Sequence, residues 1–431
     1  MKKVIITCCV LFSILSIVAV ASPNKGMGKL HELNRRGGLP NFFAKALKGD
    51  SIKVAYLGGS ITAQKGWRVY SLEWFKQRFP KAGFKEINAA IGGTGSDFGV
   101  FRIKEHVLQY KPDLVFVEFA ANDGNTPSEK IIRSMEGIVR QIWEQNPTTD
   151  ICFVYTIINK FLDDGQSFKL PNSASTMEKV AENYKIPTIN FGFEVASQIS
   201  NEQLIFKNEF KILNGTKVFS PDGVHPYIET GHLIYQEVLR RSFETMIPQK
   251  NGKLIKHVPG KPLTPDYYTN ARMIELDQVT LSKNWEIVQV KDNPMFSGFA
   301  KYLDQIIKTN HTGEFLEVQF RGQAIGVYDI LGPDVGKVIV EIDDAVKDTI
   351  SRFDKYCNSW RMNYFLIDKL ENKNHKVLFR ILSDPFDKKS ILTNKEDFAQ
   401  NPNKYKENNW YVGKIFIDGE LIKPKKINTQ Q

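Results

Sequence analysis

Lys53-Val54-Ala55-Tyr56-Leu57-Gly58-Gly59-Ser60-Ile61-Thr62 is an apolar run that breaks into a Gly-Gly-Ser turn. The apolar part reads as a buried strand, and Trp67 to Phe79 beyond it has helical spacing. A serine at a glycine-rich strand-to-helix turn projects from the carboxyl end of a sheet, where open α/β folds bind ligands. Its backbone N–H then points into the same crevice, the beginning of a site for an oxyanion.

The rhythm continues outward. Glu86 to Ile91 reads as a second strand, followed by a helix around Phe101 to Leu108. Asp113 to Phe119 is a third, followed by a helix from about Ser128 to Glu144 that puts Ile131, Met135, Ile138 and Ile142 on one face. Asp150 to Thr156 and Pro187 to Asn190 supply two more strands, with Thr176 to Tyr184 helical between them, and Tyr227 to Met246 closes the region as an amphipathic helix. Strands that are continuously apolar and separated by helices predict a parallel sheet covered on both faces. After Pro248 the texture changes. Residues 249–268, with Pro259-Gly-Lys-Pro-Leu-Thr-Pro265, read as a linker. From 269 to 431 the apolar period becomes two, as in Val338, Val340 and Ile342 or Val377, Phe379 and Ile381, and Asp418-Gly419 reads as a hairpin turn. This predicts a C-terminal all-β sandwich domain.

Three more segments stand at strand ends. Gly92-Gly93-Thr94-Gly95 lets backbone approach a ligand closely, but neither the dinucleotide spacing nor a P-loop is met. In Phe119-Ala120-Ala121-Asn122-Asp123, the Asn amide can donate to an oxygen gaining negative charge, although Asn-Asp after a strand is commonly a turn. In Ser220-Pro221-Asp222-Gly223-Val224-His225-Pro226, a carboxylate three residues before an imidazole can fix its tautomer. Of the seven histidines only His225 has such a companion; His106 and His232 fall in helical patterns and read as structural.

In order and placement these four blocks resemble the SGNH (GDSL-type) hydrolases over roughly residues 50 to 248. The resemblance implies a flavodoxin-like three-layer α/β/α catalytic domain at 22–248. It also implies Ser60 as nucleophile, His225 as general base and Asp222 as its orienting acid. The backbone N–H groups of Ser60 and Gly93, with the Asn122 side chain, would form the oxyanion hole. Two positions depart from the pattern: Gly59 replaces the usual Asp before the serine, and Ala120 stands where block three normally has Gly. The implied chemistry is ester hydrolysis through an acyl-serine, with no metal and no cofactor. An appended β domain resembles carbohydrate esterases, so the expected partner is an O-acetylated glycan. A lipid-directed esterase or lysophospholipase and a non-catalytic glycan-binding protein are the alternatives. Tyr328, Trp360, Tyr364 and Trp410 could line a sugar-binding face, though core packing is the usual role of such residues.

Composition narrows the classes. Hydrophobic residues make up 42% and charged ones 25%, as in a folded chain rather than a disordered one. Lys2-Lys3, the apolar run Val4 to Val20 and Ala19-Val20-Ala21 read as a cleaved secretory signal over residues 1–21, which implies a secreted or periplasmic location. The formal net charge of +10 becomes +8 once those two lysines are removed. The charges are interspersed, which argues against a nucleic-acid partner. No later run approaches the ~20 apolar residues of a membrane helix, so no stable membrane insertion is expected. Cys152 and Cys357 remain, each in an apolar, strand-like context, and read as buried free thiols rather than a disulfide.

Overall fold

The computed structural model describes residues 31–162, 168–249, 252–382 and 384–422. The expected signal at 1–21 lies outside the described residues. The described residues from Glu32 onward form one compact unit.

The first part is built on a six-stranded sheet. Its strands are β1 (Leu33–Asn34), β2 (Ser51–Gly58), β3 (Gly83–Asn88), β4 (Leu114–Glu118), β5 (Asp150–Tyr155) and β6 (Thr188–Asn190), in the spatial order β1-β6-β5-β4-β2-β3. All pairings are parallel except β1 against β6. Side chains alternate across the pleat, so Ala55 and Leu57 face one layer while Val54 and Tyr56 face the other. The Leu57 side is covered by α4 (Ser96–His106), α5 (Ser128–Gln145) and α6 (Asn172–Asn183). The Tyr56 side is covered by α1 (Pro40–Lys48), α3 (Trp67–Arg78), α7 (Gly192–Ser200) and α8 (Gly231–Met246). This is the expected three-layer α/β/α sandwich. Sequence periodicity did not reveal a small sheet of β7 (Leu204–Lys207), β8 (Ile212–Leu213) and β9 (Thr216–Ser220), which leads into the His225 turn.

Residues 249–268 are strapped to the α/β layers through their described part. Asn41 exchanges two hydrogen bonds with the Ile255 backbone, at 2.7 and 2.8 Å. His257 pairs with Asp150 at 2.7 Å and stacks on Trp143. The buried Glu136 carboxylate accepts from the Leu263 and Thr264 amides. Turn-forming composition marks irregular backbone, and here that backbone is held by side chains from elsewhere.

The C-terminal part is mostly β, with two short helices at Lys388–Ile391 and Lys395–Gln400. Ten antiparallel strands, β10 (Ala271–Ile274) to β19 (Trp410–Leu421), form one continuous hydrogen-bonded sheet rather than two separate ones. The 17-residue strand β14 (Phe315–Leu331) pairs over its first half with β18 (Lys373–Leu382) and over its second half with β17 (Arg361–Ile367). β19 runs beside β14 from Phe320 to Ile330. Asp418-Gly419 does not turn a hairpin; it lies within β19, where the register against β14 shifts between Gly322 and Ala324. A β-carbon on Gly419 would meet the Arg321 carbonyl at 2.1 Å, so glycine serves close strand approach at a bulge. The tight hairpin is instead at Asp343-Asp344, both left-handed, between β15 (Lys337–Ile342) and β16 (Ala345–Ser351).

One face of β14, β17 and β19 packs on α4. Phe98 stacks on Tyr364 at 4.6 Å between centroids and also meets Tyr328 and Phe416. Arg133 on α5 pairs with Asp368 at 2.9 Å, Lys414 with Glu105 at 2.7 Å, and the Tyr364 hydroxyl donates to Asp97 at 2.5 Å. Tyr328 and Trp410 are therefore core residues, Tyr364 is an interface residue, and Trp360 packs against Phe296 and Tyr411. Cys152 and Cys357 are buried and free. Phe98→Ala should cost about 3–5 kcal/mol, the usual range for a buried ring. Because the core is shared, far-UV and near-UV signals should lose cooperativity together in chemical denaturation. Loss of the β part's near-UV signal alone, with the α/β part unaffected, would contradict a shared core.

Candidate active site

The parallel register brings three of the four sequence blocks to one end of the sheet. Tyr56 lies opposite both Asn88 and Phe116, and Gly58 opposite Glu118, so the turns after β2, β3 and β4 leave side by side. Ser60 opens the one-turn helix α2 (Ser60–Ala63) immediately after β2. Gly92 is close to it: a β-carbon there would stand 3.5 Å from Ser60 Cβ. Gly93 has φ +73°, the left-handed region that glycine enters without penalty. Asn122 opens a short helical turn after β4, and its carboxamide lies against Gly59.

The fourth block arrives through β9 and α8. His225 Nε2 is 2.8 Å from Ser60 Oγ, and His225 Nδ1 is 2.7 Å from Asp222 Oδ2. With Nδ1–H donated to the carboxylate, Nε2 of the neutral ring is left to accept the serine O–H. The turn is fixed from within: Asp222 Oδ1 accepts from the Val224 and His225 amides, both at 2.8 Å. Ser220 Oγ donates to the His225 carbonyl at 2.8 Å. Partial burial disfavours the charged Asp222 carboxylate, but the His225 ring and the two amides outweigh it and hold its pKa well below the usual range. Asp222 therefore stays an anion across the neutral range. The His225 side chain is 37% and that of Asp222 50% exposed, so the site opens directly to solvent.

Beneath the serine is a buried polar knot. Glu118, at the end of an otherwise apolar strand, accepts from Thr62 Oγ1 at 2.8 Å and Thr156 Oγ1 at 2.7 Å, and from the Gly59 amide. Burial pushes its pKa up, against those three donors. The fully buried Arg102 binds the carbonyls of Gly58 (3.2 Å) and Ala89, pinning the first two turns together. His232 accepts from the Trp67 amide at 3.1 Å and meets Gln64 Oε1 at 3.1 Å, while Gln64 Nε2 donates to the Pro226 carbonyl at 3.3 Å. This relay links the chain after α2 to the His225 turn. Burial lowers the His232 pKa to about 3, in keeping with a neutral structural ring. His106 is half-buried and packs against Tyr302. Sequence reading did not find Thr62, Thr156, Arg102 or Gln64. A carboxylate in a strand covered on both faces was the available signal for Glu118, since such a charge demands buried partners.

Residues 49–227 match the sequence profile of the GDSL-like lipase/acylhydrolase family. This segment is a GDSL-like acylhydrolase domain. It makes the chain a carboxylic ester hydrolase. No curated protein sequence matches the chain. Among solved structures, a two-domain esterase active on acetylated mannans superposes with a TM-score of 0.69 at 20% identity, covering 90% of this chain and 97% of that one. The same description, co-crystallised with mannopentaose, gives 0.67 at 19% identity over 89% and 94%. Both the GDSL-like domain and the β part thus have a counterpart of the same fold. Among the described residues no group of three or more His, Cys, Asp or Glu is placed to hold a metal.

The Gly59 departure has a steric cause. A β-carbon at 59 would sit 1.9 Å from Asn122 Oδ1, so the Asn amide occupies the space a side chain would need. Gly59→Asp, which restores the commoner residue, should displace Asn122 and lower kcat/KM on the order of 10²-fold, the scale of losing an oxyanion donor. Steady-state kinetics on p-nitrophenyl acetate checks this, and unchanged activity would contradict it. Asp123 gives a pH prediction. It is buried, its Oδ1 accepts the Ser96 amide at 3.0 Å at the start of α4, and burial pushes its pKa up to about 7. The folded state therefore binds more protons than the unfolded chain between the ordinary carboxylate range and about pH 7, and this group's contribution to stability falls as pH rises through that window. The Tm of Asp123→Asn relative to the parent should rise from pH 5 to pH 8; a constant difference would contradict it.

Proposed function

We propose that the protein is a serine esterase that removes short acyl groups, O-acetyl above all, from a carbohydrate. The observation that carries the reading is the hydrogen-bond chain Asp222–His225–Ser60 at 2.7 and 2.8 Å, with Asn122 against the neighbouring Gly59. In this reading His225 takes the Ser60 proton as Oγ attacks the ester carbonyl, and Asp222 stabilises the imidazolium that forms. The tetrahedral oxyanion is met by the Ser60 and Gly93 amides and the Asn122 Nδ2. His225 then protonates the sugar oxygen as its bond to the acyl carbon breaks, releasing the free hydroxyl and leaving an acyl-serine. Water, deprotonated by the same ring, releases the carboxylic acid and restores Ser60.

Two features support a carbohydrate over a lipid. The triad is open to solvent, and among the described residues no amphipathic helix covers it. The shared fold with an esterase described as active on acetylated mannans extends through the β part. Acetate release should be measured on acetylated mannan, xylan and pectin, alongside acetyl and long-chain p-nitrophenyl esters. The expected result is release from at least one polysaccharide and a preference for the acetyl ester. Preference for the long-chain ester with no acetate from any polymer would overturn the carbohydrate reading. Asn122→Ala should lower turnover ~10²–10³-fold while leaving KM nearly unchanged.

Export belongs to the same proposal, supported by the basic start, apolar run and Ala19-Val20-Ala21. Amino-terminal sequencing of the protein from the medium or periplasm should begin at Ser22. An intact Met1 would contradict it.

A further inference from the structure

The Gly93 amide sits on a stretch of chain that cannot hold itself. Gly92 and Gly93 are exposed and lack side chains, and a β-carbon on Gly93 would find no atom within 4 Å. No packing fixes the chain at that point, and glycine backbone is the freest of all. An oxyanion donor must nonetheless be aimed to within ~0.5 Å and ~10–20°. The aim therefore has to come from the residues on either side, Ala89 to Ile91 and Thr94 to Ser96, all of which are buried.

Most of the bonds that fix those residues come from the α/β part. The Ile91 amide donates to the Gly58 carbonyl at 3.0 Å, the Ala90 amide to Asn88 Oδ1 at 3.1 Å, and Thr94 Oγ1 to the Ile91 carbonyl at 2.9 Å. Arg102 holds the Ala89 carbonyl. The Ala90 carbonyl, three residues before Gly93, is held differently. Its donor is the Tyr302 hydroxyl, 2.7 Å away and 212 residues further along the chain. Tyr302 shortly precedes β13 (Gln305–Thr309); its amide bonds the Phe299 carbonyl at 2.9 Å, and its ring lies 5.3 Å from that of His106 on α4. Lys301 Nζ donates to the same hydroxyl at 2.8 Å. A cation donating into a hydroxyl polarises its O–H and strengthens the bond that the O–H donates. At the far end of the loop a second hydroxyl from the β part, that of Tyr364, donates to Asp97 at 2.5 Å and lies 3.5 Å from the Gly95 amide.

We propose that Tyr302 is a positioning residue for the oxyanion hole: its hydroxyl, backed by Lys301, fixes the loop that aims the Gly93 amide. The β part is then a component of the esterase site and not only an appendage to it. This rests on the reading in which the Gly93 amide meets the oxyanion. Removing the Tyr302 hydroxyl loosens a donor that matters only as charge develops on the ester oxygen, so turnover suffers and ground-state binding does not. The test compares Tyr302→Phe with the parent, as full chains, on p-nitrophenyl acetate. The expected fall in kcat is on the order of tenfold, short of the ~10²–10³-fold of losing a donor outright, with KM changed by less than about twofold. The inhibition constant of phenylboronic acid, which forms a tetrahedral adduct on a nucleophilic serine, should rise by the factor that kcat/KM loses. Lys301→Met, at an exposed position, should move both in the same direction by a smaller factor, and it decides the matter if Tyr302→Phe does not fold. Tyr411→Phe, which removes a hydroxyl bonded to Asp334 at 2.7 Å within the β part, should leave both unchanged. A lower Tm for Tyr302→Phe with parental kcat and boronate inhibition would overturn the assignment, as would an equal loss in Tyr411→Phe. Ser60→Ala tests the esterase reading separately. Activity that survives Ser60→Ala overturns both readings; activity lost there but intact in Tyr302→Phe overturns only the role given to Tyr302.

Discussion

The in-register parallel pairing of β2 with β3 and β4 is the constraint from which the site follows. Parallel strands share a direction, so their carboxyl ends share an edge, and the chain after each strand must leave there. With Tyr56 level with Asn88 and Phe116, the Ser60 turn, the Gly92–Gly95 loop and Asn122 have no other place to go. The His225 turn is not placed by this register. It is carried in by β9 and α8, and tied to the serine side through His232 and Gln64. Two independent structural routes thus meet at one hydrogen bond.

The buried charges around that meeting point have a different logic from the core. Glu118 and Arg102 lie where apolar side chains would pack at lower desolvation cost. Each instead binds backbone groups of the turns: Glu118 accepts the Gly59 amide, and Arg102 donates to the Ala89 carbonyl and joins the Ile91 amide on the Gly58 carbonyl. A loop that must show its amides to a ligand cannot bond them to its own sheet, so side chains hold it from behind. The β part reinforces the same end of the molecule. Tyr364 bonds Asp97 at the start of α4, and the Tyr302 hydroxyl donates to the Ala90 carbonyl in the loop after β3 at 2.7 Å.

Much of the α/β part was legible because its signals are local. Apolar runs such as Leu114 to Val117 and the stripe Ile131, Met135, Ile138 and Ile142 match the observed strand and helix. The four site blocks were legible only as a set: each alone reads as an ordinary turn or loop, and it is their order at successive strand ends that carries the resemblance. What could not be read is set by long-range partners. Asp418-Gly419 looks like a turn until Gly322 is known to lie opposite it. Residues 249–268 look free until Asn41, Asp150 and Glu136, all distant in sequence, are seen to bind them. The aromatic residues of the β part were likewise read by type. Their neighbours make Tyr328 and Trp410 core and leave Trp285, not singled out in the sequence, on a groove.

The central claim is that Ser60 is a hydroxyl made nucleophilic by His225, and covalent trapping tests it most directly. The protein should be treated with a fluorophosphonate and the modified peptide mapped by mass spectrometry. The account predicts a single adduct on Ser60, formed in the parent and absent after His225→Ala. No adduct, an adduct on another residue, or labelling that persists without His225 would contradict it.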